Sequence, residues 1–92
     1  MNIDINKFNV SENNIAMIVN EQIFWIGPNA DINVTVNLYE HKGKYKMTSW
    51  LNGVEELNTT DYEGSIDNAE EILSAMEKLI SDNEDYILSI AL

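Results

Sequence analysis

The chain has no cysteine and no arginine, and only one histidine and one proline among its 92 residues. Without cysteine there can be no disulfide, no thiolate nucleophile and no thiolate zinc ligand, and His41 alone cannot make a structural zinc site. Long hydrophobic runs are also missing: none approaches the roughly 20 residues a membrane span needs. The opening MNIDINKFN lacks the basic and then apolar build of a secretory signal. A cytoplasmic protein is therefore expected. The richness in Asn, Ile, Lys and Glu suits an AT-rich bacterial or phage genome, which makes a bacterial cell the expected host. Asn33-Val34-Thr35 and Asn58-Thr59-Thr60 match the glycosylation tripeptide, but without an export signal they read as chance matches.

Catalytic motifs are absent as well. There is no GxSxG, no Walker loop and no GxGxxG, and His41 sits in a Lys-flanked turn with no adjacent serine to activate. His41 reads as a solvated turn residue. Sixteen carboxylates offer many pairs, so no pair singles out a hydrolase. Asp61, Glu63, Ser65 and Asp67 alternate like the start of a calcium loop, yet Ile66 stands where the loop needs Gly and Ile72 where it needs Glu. Asp82, Glu84 and Asp85 read as a solvated turn ending a helix. The expectation is a protein that is not an enzyme and holds neither metal nor cofactor.

What the chain does have is charge of one sign. Sixteen acids against five lysines give a formal net charge of −11, unevenly spread: residues 1–40 carry −4, residues 41–52 carry +3 and residues 53–92 carry −10. Such a chain repels nucleic acid and anionic lipid and attracts a protein with a basic groove. The apolar fraction of 45% is nevertheless that of a globular protein, and the length fits one domain spanning residues 1–92.

One segment has a clear helical period, Ser65 to Ser81 (SIDNAEEILSAMEKLIS). At 100° per residue Ile66, Ala69, Ile72, Leu73, Met76, Leu79 and Ile80 share one side, opposed by Asp67, Glu70, Glu71, Ser74, Glu77, Lys78 and Ser81. Ile72, Leu73, Met76 and Leu79 are the expected core. Ser65 or Asp67 is the expected cap, the latter with Glu70 three residues on.

The remainder reads as strands. Residues 3–10 suit a short strand with a bulge, followed by a turn at 11–14. Residues 15–26 read as a hairpin around Asn20-Glu21 with Trp25 in the core, or from a Ser11 cap as the start of a helix; the hairpin is preferred for its Ile, Val, Phe and Trp. Gly27-Pro28 then stops it. In 31–40, Ile32, Val34, Val36 and Leu38 alternate with Asn33, Thr35, Asn37 and Tyr39, which predicts one packed face and one wet face. A turn at 41–44 returns the chain through 45–51, and Asn52-Gly53 leads to a short third strand at 54–57. Residues 58–64 read as a loop, and the apolar Tyr86–Leu92 as a last strand buried on both faces. Together these predict an α+β fold: an antiparallel sheet of about five or six strands with one amphipathic helix on one face.

Two candidate surfaces follow. Asp61, Glu63, Asp67, Glu70, Glu71, Glu77, Asp82, Glu84 and Asp85 form the candidate acidic patch, with helical neighbours spaced about 5–6 Å apart. It would bind a basic protein rather than nucleic acid or a membrane. The alternative is a protein-binding or self-assembling module, such as an immunity or accessory protein, that presents Tyr39 and Trp50 on the sheet. Lys42, Lys44 and Lys46 are expected to keep a sheet edge soluble.

In its size, its charge and this order of elements, a β-meander and then an acidic helix, the chain resembles the small phage-encoded anti-defence inhibitors, anti-CRISPR proteins among them. The resemblance implies a non-catalytic inhibitor. It further implies that the acidic patch imitates DNA and blocks the nucleic-acid-binding surface of a partner such as a CRISPR nuclease.

Overall fold

The computed structural model describes residues 16–92, an α+β arrangement of one antiparallel sheet and one helix. Strands β1 (Met17–Ile26), β2 (Ile32–His41), β3 (Lys44–Leu51) and β4 (Glu55–Asp61) lie side by side in sequence order, and helix α1 (Ala69–Ala91) follows. The strand predicted at 3–10 and the turn at 11–14 lie outside the described residues.

Turn chemistry sets the meander. Lys42 (φ 56°) and Gly43 (φ 77°) make a two-residue turn between His41 and Lys44 with both residues at positive φ, the geometry whose twist matches paired strands. Asn52 (φ 54°) and Gly53 (φ 74°) do the same work between β3 and β4. Between β1 and β2, Gly27 (φ 95°) and Ala30 (φ 51°) reverse the chain, closed by the Ala30 N–H donating to the Gly27 carbonyl at 3.0 Å.

Among the described residues four strands stand where five or six are expected of the whole chain, and the differences there have physical causes. Residues 15–26 do not make a hairpin: Asn20 and Glu21 pair with Leu38 and Asn37 inside one continuous strand, with a bulge at Val19. Neither residue supplies the positive φ a tight reversal would need. The third meander strand is longer than 54–57 and takes in part of the predicted loop, because a bulge at Leu57 restores pairing from Asn58 to Asp61. The segment read as a final strand is helical.

That last correction defines α1, which begins later and runs ten residues further than the period predicts, from Ala69 to Ala91. Asn68 is its cap, three residues after Ser65 and one after Asp67; its Oδ1 accepts the Glu71 N–H at 3.1 Å. The buried stripe Ile72, Met76, Leu79, Ile80 and Ile87 continues the i, i+3, i+4, i+7 spacing through the acidic 82–85 segment into 86–92. No Gly or Pro follows Gly64 to stop it. Three of the four expected core residues are buried; Leu73 is 41% exposed, at the margin of the stripe.

At about 1.5 Å per residue the 23-residue helix is about 35 Å long, close to the roughly 33 Å of a ten-residue strand. It lies over β2, β3 and β4. The core beneath it joins Val34, Val36, Leu38, Met47 and Tyr62 to Ile72, Met76 and Ile87.

The central strand is not wet on its second face. Thr35 and Asn37 are fully buried there, as are Thr48 and Ser49 to within 1%. Most of their polar groups bond within the sheet: Asn37 Nδ2 donates to Glu21 at 2.9 Å, Thr35 Oγ1 to Asn33 at 3.2 Å, and the hydroxyls of Tyr39, Thr48 and Thr59 form a chain, while Asn37 Oδ1 is buried without a hydrogen-bond partner among the described residues. Polar alternation marks solvent only where a strand is uncovered, and hydrogen bonding lets such groups be buried.

Candidate functional site

All nine carboxylates of the candidate patch are exposed. The helix brings six of them together. At 100° per residue Glu70, Glu71, Glu77, Asp82, Glu84 and Asp85 occupy the half of α1 turned away from the buried stripe, so the 82–85 acids join this face instead of forming a separate turn. From Glu70 to Asp85 the row is about 22 Å long. Glu70 and Glu71 stand in the first turn, where the positive end of the helix dipole favours them.

Two lysines temper the surface at one side. Lys78 donates to Asp82 at 2.7 Å across one helical turn, and Lys46 on β3 donates to Asp61 at the end of β4 at 2.8 Å. That hydrogen bond, with the attraction of opposite charges, holds the Asp61 carboxyl below its ordinary pKa and the Lys46 ammonium above its own. Asp61 therefore belongs to a cross-strand pair more than to the acidic row. β3 is an inner strand, so Lys44 and Lys46 do not guard a sheet edge. His41 is a half-buried residue at the end of β2, paired with Lys44, and not a solvated turn residue.

The loop from 62 to 68 fixes where the acidic row begins. Tyr62, buried beneath it, donates its hydroxyl to the Ser65 carbonyl at 2.6 Å; burial first, and the negative Glu71 second, push its phenol upward. The Ser65 N–H donates to Glu71 Oε1 at 2.7 Å, and the Asp67 N–H to Ser65 Oγ at 3.2 Å. Gly64 sits in the middle of this knot. A Cβ there would collide with the Glu71 carboxylate and lie 2.6 Å from the Tyr62 hydroxyl and 2.8 Å from its ring. Gly64→Ala is accordingly expected to destabilise the fold by about 1–3 kcal/mol, read as a lower urea midpoint with an unchanged m-value; a midpoint equal to wild type would show that the loop yields freely.

The sheet aromatics are placed differently from expectation. Tyr39 and Trp50 are 6% and 3% exposed, held on inner strands, so neither offers a surface contact. Trp25, expected in the core, is 58% exposed because it pairs with Asn33 on the sheet face opposite the one on which its neighbours Phe24 and Ile26 pack against the core. Tyr86 on α1 is also exposed. Sequence reasoning missed Trp25 because apolar neighbours in the chain do not reveal which face of a sheet is covered, and Tyr86 because its segment reads as a strand buried on both faces.

A concavity of about 380 Å³ between the β2–β3 turn and the 62–68 loop is walled by Lys44, Asp61 and Glu63 beside Tyr45 and Tyr62. This is a charged surface groove, unlike the enclosed apolar pockets that hold small molecules. Among the described residues no three His, Asp or Glu side chains converge as metal ligands, and no helix is long and apolar enough to cross a membrane. No protein-family model, curated protein or solved structure matches the chain.

Proposed function

We propose that the protein is a non-catalytic acidic inhibitor that sets the outer face of α1 into the basic nucleic-acid-binding surface of a partner, as a mimic of DNA. A CRISPR nuclease is the type of partner such a mimic suits. The reading rests on one observation, the one-sidedness of the helix: six carboxylates and a single Lys78 share its outward half. Neighbours about 5–6 Å apart repeat negative charge on the scale of a phosphate backbone, and a rigid helix holds them without the entropy loss a loop would incur on binding. Glu63 and Asp67 continue the charge past the N-terminal end of the helix, and no basic side chain stands in its last turn.

The test is charge reversal at positions that carry no structural bond. Glu70→Lys, Glu77→Lys and Glu84→Lys together leave Glu71 to hold the Ser65 N–H and are expected to leave the helix formed. Against a purified CRISPR nuclease, wild-type protein is expected to inhibit DNA cleavage, and the triple variant to lose inhibition by roughly 100-fold or more, as several close charge pairs together would give. Inhibition by wild type should weaken steeply with salt. In parallel, capture from a bacterial lysate should enrich basic nucleic-acid-binding proteins at low salt and lose them with the triple variant. Equal capture by both proteins would end the mimic reading.

A further inference from the structure

Of the asparagines in the chain, Asn52 alone is followed by glycine. An asparagine side-chain amide is open to attack by the backbone nitrogen of the next residue, and glycine, with no Cβ, lets that nitrogen approach most freely. Asn52 is exposed at the tip of the β3–β4 turn, where both turn residues have positive φ. Among the described residues the Gly53 N–H donates no hydrogen bond, so the attacking nitrogen is not engaged elsewhere. The turn must open for the attack. It is held by the Asn52 N–H on the Asn33 carbonyl at 2.9 Å and the Val54 N–H on the Leu51 carbonyl at 3.1 Å. Val54, Glu55 and Glu56 just beyond it are exposed, so local opening uncovers little apolar surface and is frequent. Asn29, also in a turn, precedes Ala30, whose methyl group hinders the same approach.

We propose that Asn52 is a site of spontaneous deamidation, and that the product loosens the end of the fold where this turn meets α1. The Gly53 nitrogen bonds to Asn52 Cγ and gives up its proton as the Cγ–Nδ2 bond breaks and ammonia leaves, closing a five-membered imide. Water then opens the ring. Attack at Cγ yields aspartate; attack at the backbone carbonyl yields isoaspartate, in which the main chain runs through Cβ and Cγ. Either product carries a carboxylate in place of a neutral amide. Isoaspartate also lengthens a two-residue turn by one methylene, so the geometry that matches the twist of β3 and β4 no longer fits. The new carboxylate borders a hollow lined by Asp31 and by Ile90 and Ala91 at the C-terminal end of α1. Asp31 and the carbonyl end of the helix dipole are both negative, and no basic side chain stands in the last helical turn to offset them. The site lies at the other end of α1 from Glu70 and Glu71 and does not rest on the proposed inhibitory function.

Ageing of the full chain at mildly alkaline pH, followed by peptide mapping, tests it. The peptide that contains Asn52 is expected to show the mass gain of an amide-to-acid exchange ahead of every other asparagine, and the aged protein to accept methyl groups from an isoaspartate methyltransferase. Asn52→Gly keeps a residue pair that suits positive φ, so it should fold as wild type does and show neither change. The aged forms are then separated by charge and unfolded in urea. The isoaspartate form should have a lower midpoint than fresh protein, and Asn52→Asp, which adds the charge without the extra backbone atom, should fall between the two. An Asn52 that stays intact on ageing overturns the proposal, as does an Asn52→Gly variant that accepts as many methyl groups as wild type. A midpoint equal to that of fresh protein, in either form, overturns the loosening assigned to it.

Discussion

Ile87→Asp is expected to unfold most of the protein, whereas Tyr86→Asp, one residue earlier, should be tolerated. Ile87 is fully buried between α1 and the sheet, and an aspartate there would place an unpaired carboxyl among apolar side chains, a change costing about 4 kcal/mol or more. Small domains have roughly 5–15 kcal/mol in all. Tyr86 is 53% exposed at the rim of the buried stripe, one turn from Asp82, so a charge there should move stability by only about 0.5 kcal/mol. The contrast reads the local structure directly. In a strand buried on both faces, neighbouring positions would be equally intolerant; on a helix packed by one stripe they differ. Urea titration of both variants with far-ultraviolet circular dichroism measures it, and equal loss of stability in the two would contradict the helical placement of this segment.

Met76→Ala should be the second most damaging change, lowering stability by about 3 kcal/mol. Met76 is fully buried at the middle of α1, in the cluster with Val36, Leu38 and Met47, and truncation leaves a cavity that well-packed neighbours fill only in part. With an m-value of about 1–1.5 kcal/mol/M in urea for a chain of this size, the midpoint should fall by about 2–3 M. Leu73→Ala is the control. Leu73 is 41% exposed, and its truncation should cost less than about 1 kcal/mol. If both variants fall equally, the rotation of the helix about its axis is other than described.

Leu73 also shows how far a sequence pattern carries. The wheel places it within the apolar arc, but the arc is wider than the contact with a four-stranded sheet, and the residue at the rim loses. The α+β class, the meander, β2 and the helical segment follow from period and turn chemistry, which act locally. The identity of residues 86–92 did not, because YILSIAL is so uniformly apolar that it carries no period of its own. Its clue lay upstream, in the missing breaker after Gly64 and in Ile87 standing seven residues from Ile80. Trp25, Tyr39 and Trp50 were misjudged for a different reason: burial on a sheet depends on strand order and on what covers each face, neither of which is local. The acidic patch was the most legible part. Carboxylates without partners stay at the surface almost regardless of fold, and only their assembly along one helix had to come from the structure.

Among the described residues every ladder in the sheet joins strands that are neighbours in the chain, through connections of five, two and three residues. Kinetically, such a sheet can close hairpin by hairpin, each step fixing a short loop at little entropic cost. The distant contacts are those of the helix, which returns from residues 69–91 onto strands begun as early as residue 32. Until it docks, the apolar face of β2 and β3 is open to water. A chain whose helix is undocked would expose that apolar face, and the carboxylates on the helix would set like charge between such chains and oppose their association.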